Sequence, residues 1–227
     1  MVQTKKEAIK VQNLTFGYDQ NPLLKTLSLS VEKGESLAIL GPNGVGKTTF
    51  FKLLLGLYLP WSGEITILGK AIVSASDRVF ARENIAYVPQ ERVTGKLPIT
   101  VFDAVLLGRY AKGFKGLKKP RQTDREAVKE ALAAVSLTEY ATRDVSKLSG
   151  GQLQRMALAR ALVREAPIIL LNKPVAHLDK GGKEELPYLI QNIQREKTLT
   201  MITITHEDIN MEFDRILRLK DGQLKEA

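Results

Sequence analysis

Residues 41–48, Gly-Pro-Asn-Gly-Val-Gly-Lys-Thr, have the G-x-x-x-x-G-K-[ST] spacing of a phosphate-cradling loop. Such glycines let consecutive backbone N–H groups curl around phosphate oxygens, and the start of the following helix adds partial positive charge. Lys47 can then reach the β- and γ-phosphates, and Thr48 can offer its hydroxyl to Mg²⁺. A glycine-rich turn would share the composition. The loop, however, follows the apolar stretch 36–40 and precedes a helical pattern over 50–55 that stops near Gly56, which is the strand, loop and helix context the motif requires. The implied ligand is a nucleoside triphosphate.

A second anion-reading segment lies much later in the chain, at Leu148-Ser149-Gly150-Gly151-Gln152. Ser149 and Gln152 have the S-x-x-Q spacing of a capping box, so a plain helix start explains two of these residues. It leaves two consecutive glycines unexplained. Gly150 and Gly151 would expose backbone N–H groups at a helix N-terminus, a second place for phosphate. Two phosphate-reading surfaces in one chain invite a ligand shared between two chains.

The elements that must position these segments can be read around them. The 227 residues are 44% hydrophobic and 26% charged, which excludes disordered, collagen-like and disulfide-scaffold classes. With no cysteine, thiolate metal sites, iron–sulfur clusters and cysteine nucleophiles are also excluded, and a reducing compartment fits. No run approaches the roughly 18 apolar residues of a membrane span, and the opening MVQTKKEAIK has no secretory pattern, so neither spanning nor export is expected. The +9 net charge points to an anionic partner.

Alternation from Ile9 to Tyr18 and across Leu27, Leu29 and Val31 predicts antiparallel strands. Ser62-Gly63 opens a turn into a strand, 85–90 is a further short strand, and strands return at 168–171 and 200–205 with a helix of about fifteen residues between them. From Thr100 to about Ala166 the pattern is helical: Val101, Ala104, Val105 and Gly108 share a face, and Thr123 with Glu126 has capping-box spacing. Asp221-Gly222 predicts a closing hairpin. Between Gly108 and Arg125 seven basic residues meet one acidic residue, a solvated loop or a contact for anionic lipid or an acidic partner.

The loop at 41–48, LSGGQ at 148–152, a glutamine after a strand at Gln90 and a histidine after a strand at His206 together resemble the nucleotide-binding subunit of an ABC transporter. The resemblance covers nearly the whole chain. It implies an α/β fold: a P-loop NTPase, RecA-like core with an N-terminal antiparallel β subdomain over 1–99 and 166–227, and an inserted helical subdomain over 100–165 that carries LSGGQ. It also implies ATP and Mg²⁺ as ligands, a second nucleotide-binding subunit and transmembrane permease subunits as partners, and a cytoplasmic position on the inner face of the membrane.

The resemblance further assigns roles. Tyr18 would stack on adenine, while Gly41, Asn43, Gly44, Gly46, Lys47, Thr48 and Thr49 would hold the phosphates. Gln90 would touch Mg²⁺ and sense the γ-phosphate, and His206 would bond the γ-phosphate. Ser149, Gly150, Gly151 and Gln152 would serve the partner's nucleotide, with Asp179 crossing the dimer interface; His177 reads as structural. Closure of two subunits head to tail would be the power stroke.

One site departs from the family. After four apolar residues the pattern expects an Asp that orients Mg²⁺ and a Glu that polarises the attacking water; here Asn172 and Lys173 stand in their places. Asn172 lacks the charge that holds a hard cation, and Lys173 while charged accepts no proton. Val175 stands where Thr or Ser is usual, and Pro187 falls within the following helix, which it would kink or restart. Impaired hydrolysis with retained ATP binding is the expectation. A nonhydrolytic regulatory clamp is the alternative. A nucleic-acid-associated ATPase of this family is another, although the interval from Gln90 to Leu148 has room for only one helical subdomain, and no nucleic acid is expected. The segment KLPITVFDAVLLGRYAKG resembles that of metal-ion, iron-chelate and cobalamin importers.

Overall fold

A computed structural model describes residues 6–90, 98–112, 119–176, 178–206 and 209–226. The N-terminal alternation forms the antiparallel pair β1 (Glu7–Phe16) and β2 (Leu24–Glu32), with Ile9, Val11 and Leu14 turned into the core. β3 (Ser36–Leu40) then enters a different sheet. α1 (Lys47–Leu54) follows the glycine loop, and β4 (Ser62–Ile67) and β5 (Lys70–Ala71) complete a four-stranded sheet in the order β2-β1-β4-β5.

The second sheet is built from β3, β6 (Ile85–Val88), β7 (Ile168–Asn172), β8 (Thr200–Thr205), β9 (Arg215–Lys220) and β10 (Gln223–Glu226), in the order β10-β9-β3-β8-β7-β6. All neighbours are parallel except β10 on β9. That final hairpin turns on Asp221 (φ 53°) and Gly222 (φ 83°), the paired left-handed residues a two-residue type I′ turn needs.

Both faces of this sheet are covered. In β7, Ile168 and Leu170 join the core shared with the antiparallel sheet, while Ile169 and Leu171 join the core beneath the helices. A strand buried on two faces has no polar side to show, so it reads as an unbroken apolar run. α1 sits in the first core and buries Phe50, Phe51, Leu53 and Leu54, each contributing about 1.5–3 kcal/mol by removal from water. The second core packs α3 (Val101–Leu106), α4 (Gln122–Ala134), α5 (Gly150–Leu162) and α6 (Lys180–Lys197) through Val105, Leu132, Leu158 and Ile190. A further helix, α2 (Ala75–Asn84), leads into β6.

Three local expectations are corrected. α4 begins at Gln122, and Asp124 is the residue that caps it, its carboxylate accepting from the Arg121 N–H at 3.0 Å and from Arg109 Nε at 3.0 Å. Thr123 and Glu126 do not form the box, because Glu126 instead accepts from Gln122 Nε2 at 3.0 Å, one turn earlier on the helix. α6 has 18 residues, longer than expected, and runs from Lys180 through Pro187 without restarting there. Within the basic 108–125 stretch, Arg109 is not solvated: it also pairs with Glu165 at 2.9 Å, tying the stretch to the end of α5; residues 113–118 lie outside the described part.

Candidate functional site

Parallel pairing brings the C-terminal ends of β3, β8, β7 and β6 level, with Leu40 beside Thr205, Ile204 beside Asn172 and Leu171 beside Val88. The segments leaving that edge carry the 41–48 loop, His206, Asn172 with Lys173, and Gln90. Open α/β sheets place ligands just beyond this edge.

The loop is formed by local necessity. Gly46 caps α1 at φ 109°, a left-handed angle, and a Cβ there would stand 3.0 Å from Leu24 Cδ2. Lys47 Nζ donates to the carbonyls of Gly41 at 2.5 Å and Pro42 at 2.8 Å, turned back on its own loop. Burial, and secondarily the charge of Lys173, lower its pKa from 10.5 to about 8. Lys173 itself has φ 49°, its N–H donates to the Ile204 carbonyl at 2.8 Å, and its Nζ donates to Asn43 Oδ1 at 2.7 Å. The β7 end is thereby tied to the phosphate loop.

A pH dependence follows. An anion favours the charged form of Lys47, so below pH 8 binding needs no proton uptake, whereas above it each unit of pH weakens affinity until the pKa of the complex is passed. Nucleotide titrations across pH 7–9.5 should show affinity falling above about 8. Lys173→Gln should move the onset to higher pH, because it removes one of the two causes of the shift.

Asn172 is buried, its Nδ2 donates to the Tyr87 hydroxyl at 3.0 Å, and its Oδ1 is buried without a partner. Mg²⁺ is held through one or two carboxylates together with phosphate oxygens. Here the described donors are the Thr48 hydroxyl and the amide oxygens of Gln90 and Asn172, and two ammonium groups share the space. Among the described residues no cluster of three His, Cys, Asp or Glu suited to a metal ion exists. This donor set brings no carboxylate to a hard dication.

Tyr18 is 57% exposed, its hydroxyl lies 2.9 Å from Thr49 Oγ1, and its ring meets Phe16 and Tyr58 edge-on. An aromatic surface therefore borders the loop where a base could stack. Tyr18→Ala should weaken ATP binding by about 1–3 kcal/mol while Tyr18→Trp largely preserves it, because stacking uses the ring and not the hydroxyl. Equal affinities for the Ala variant and the wild type would put adenine elsewhere.

Ser149 caps α5 as its spacing predicts: its Oγ accepts from the Gln152 N–H at 3.3 Å, and Gln152 Oε1 accepts from the Ser149 N–H at 2.9 Å. A Cβ on Gly151 would meet nothing within 4 Å, so packing inside this chain does not demand glycine there. Asp179 caps α6 through the Gly182 N–H at 3.1 Å. Among the described residues both segments bond within themselves and not to the 41–48 loop. His177 and Glu207 lie outside the described residues, as do the first two residues of the KLPITV segment.

Residues 24–176 match the ABC transporter domain. The chain belongs to the ABC transporter family. Over 214 residues it is 39% identical to the manganese transport system ATP-binding protein MntB of Bacillus subtilis, covering 93% of this chain and 82% of that one. Identity to the high-affinity zinc uptake system ATP-binding protein ZnuC of the same organism is 34% over 221 residues, 95% and 92% of the two chains. Among solved structures, cbiO1 from Clostridium perfringens, part of the ABC transporter complex cbiONQ, superposes with a TM-score of 0.87 at 31% identity over 97% of this chain and 88% of that one. A dimeric post-hydrolysis state of the ATP-binding cassette MJ0796 bound to ADP and Pi gives 0.80 at 30% identity over 96% and 98%. Among the described residues of this ABC subunit, no helix is long and apolar enough to cross a membrane.

Two features of the ABC subunit escape sequence reasoning. Tyr87, which bonds Asn172, carries no signal beyond being an aromatic in a short strand. It also lines a groove of about 390 Å³ with Leu55, Leu57, Leu107, Arg160 and Arg164. Burial lowers the pKa of both arginines; Arg164 donates to the Arg82 carbonyl, and its Nε is buried without a partner. Leu57 and Leu107 stand 53% and 52% exposed at this groove, an apolar mouth over half-desolvated cations.

Proposed function

We propose that this ABC subunit binds ATP at the 41–48 loop and closes head to tail on a second nucleotide-binding subunit, driving import of a metal ion or metal chelate, with its own hydrolysis impaired and its hold on Mg²⁺ weakened. The observation that carries the reading is the pair Asn172 and Lys173 at the end of β7, with Lys173 Nζ on Asn43 of the phosphate loop. The loop amides and Lys47 bind and orient the phosphates, Tyr18 receives the base, and Thr49 is held by Tyr18. The N–H groups of Gly150 and Gly151, with the Ser149 hydroxyl beside them, would serve a phosphate on the partner. Lys173 donates hydrogen bonds and takes no proton while charged, so no described carboxylate stands at that position to polarise water.

The importer assignment rests on the manganese and zinc systems to which the relatives belong. By charge complementarity the arginine groove suits a permease segment that brings a carboxylate or the C-terminal end of a helix. That partner would hold the chain peripherally on the inner face of the membrane. Co-expression with a manganese- or zinc-type permease tests this: the chain should sediment with membranes only when the permease is present. Membrane binding without the permease would contradict it. A nonhydrolytic clamp, the second reading, is favoured by the same Asn172 and Lys173; it would close on ATP with no transported cargo.

A further inference from the structure

We propose that the nucleotide site selects the metal-free triphosphate over its magnesium complex, with Lys173 as the resident counter-cation. This rests on the reading of the 41–48 loop as a triphosphate cradle, and concerns which form of the nucleotide that cradle takes.

The position of Lys173 is built in. Its left-handed backbone and its N–H bond to Ile204 start the side chain at the end of β7, and the bond to Asn43 brings the ammonium onto the phosphate loop. An ammonium has three donors, and Asn43 uses one. Asn43 is neutral, so the charge of Lys173 is not cancelled by it, and no carboxylate pairs with Lys173 among the described residues. Lys47 lies on the same loop and feels that charge. Two cations therefore converge where a polyanion would lie.

Magnesium would bring two further positive charges onto the same phosphate oxygens. In sites with a carboxylate the dication bridges protein and nucleotide; here it would face an ammonium instead, and like charges at this range repel. The neighbouring amide does not reverse this. The Asn172 Oδ1 left without a partner is buried and neutral, so it lacks the charge a carboxylate would set against the ammonium.

The test is ATP affinity of the full chain, read by the fluorescence of Trp61, its only tryptophan, which lies 6.2 Å from Phe16 in the aromatic group around Tyr18. Titrations run in excess EDTA and in excess Mg²⁺, with equilibrium dialysis as a second readout. Binding at least about tenfold tighter in EDTA is expected, equivalent to about 1.4 kcal/mol. Lys173→Gln should erase that preference and Lys173→Arg should keep it, with thermal melting confirming that each variant is folded; the wild-type comparison decides alone should a variant not fold. Tighter or equal binding in Mg²⁺, or an EDTA preference that survives Lys173→Gln, overturns the proposal while leaving the cradle intact. Absence of ATP binding in both conditions overturns the cradle itself.

Discussion

Phosphate release by the chain as it stands is expected near background, and the double change Asn172→Asp with Lys173→Glu is expected to raise it by roughly 10²- to 10⁴-fold in the presence of Mg²⁺, the range a positioned general base supplies. The two substitutions act on separate requirements. Asn172→Asp places a carboxylate at the buried end of β7, where Oδ1 now lacks a partner, and should recover metal affinity. It should recover little rate by itself, since Lys173 would still leave the water unpolarised. Lys173→Glu also removes the charge that helps depress the Lys47 pKa, so the double variant should lose the affinity decline above about pH 8 or shift it upward. Robust turnover by the unmodified chain would require another carboxylate to serve the water. Asp179 is engaged in capping α6, which makes it a costly choice.

Ser149→Arg is expected to abolish ATP-dependent dimerisation while leaving ATP binding to the monomer nearly unchanged. Among the described residues Ser149 bonds Gln152 and nothing in the 41–48 loop, and the space above Gly151 is open, the arrangement expected if this helix start serves a phosphate across an interface. Arginine fills that space and also removes the cap, and loss of the cap alone costs about 0.5–2 kcal/mol of helix stability. Ser149→Ala separates the two effects, because it loses the cap without filling the space, and should still dimerise. Size-exclusion chromatography with light scattering reads both variants. Loss of nucleotide binding in the monomeric Arg variant would instead assign the segment to its own chain's site.

The features legible in the sequence were those with local causes. The phosphate loop, the capping box at Ser149, the hairpin at Asp221-Gly222 and the alternation of β1 and β2 each depend on residues adjacent in the chain or on one face. The antiparallel pair was legible because β1 alternates, whereas 168–171 at the start of β7 is an unbroken apolar run that marks a strand without marking its pairing. α2 was missed because only Ala81 is fully buried along it, leaving little apolar period to detect, although Ser74 and Asp77 cap it as a box. At α4 two acidic residues competed for the cap, and Asp124 won because Arg109, from α3's end, fixes it. The contacts that define the site's chemistry were not legible. Lys173 meets Asn43 across 130 positions and Asn172 meets Tyr87 across 85, and nothing local to either residue announces the other.

The same two contacts make the central claim, ATP-driven closure of a subunit whose own hydrolysis is impaired, directly measurable. Molar mass by light scattering and phosphate release are followed in one sample of the purified chain as ATP is added, with and without Mg²⁺. A mass that doubles from that of the 25.2 kDa monomer while the ATP stays intact is the predicted result. Steady phosphate release from that dimer in Mg²⁺, at a rate the Asn172→Asp, Lys173→Glu variant does not exceed, would contradict it.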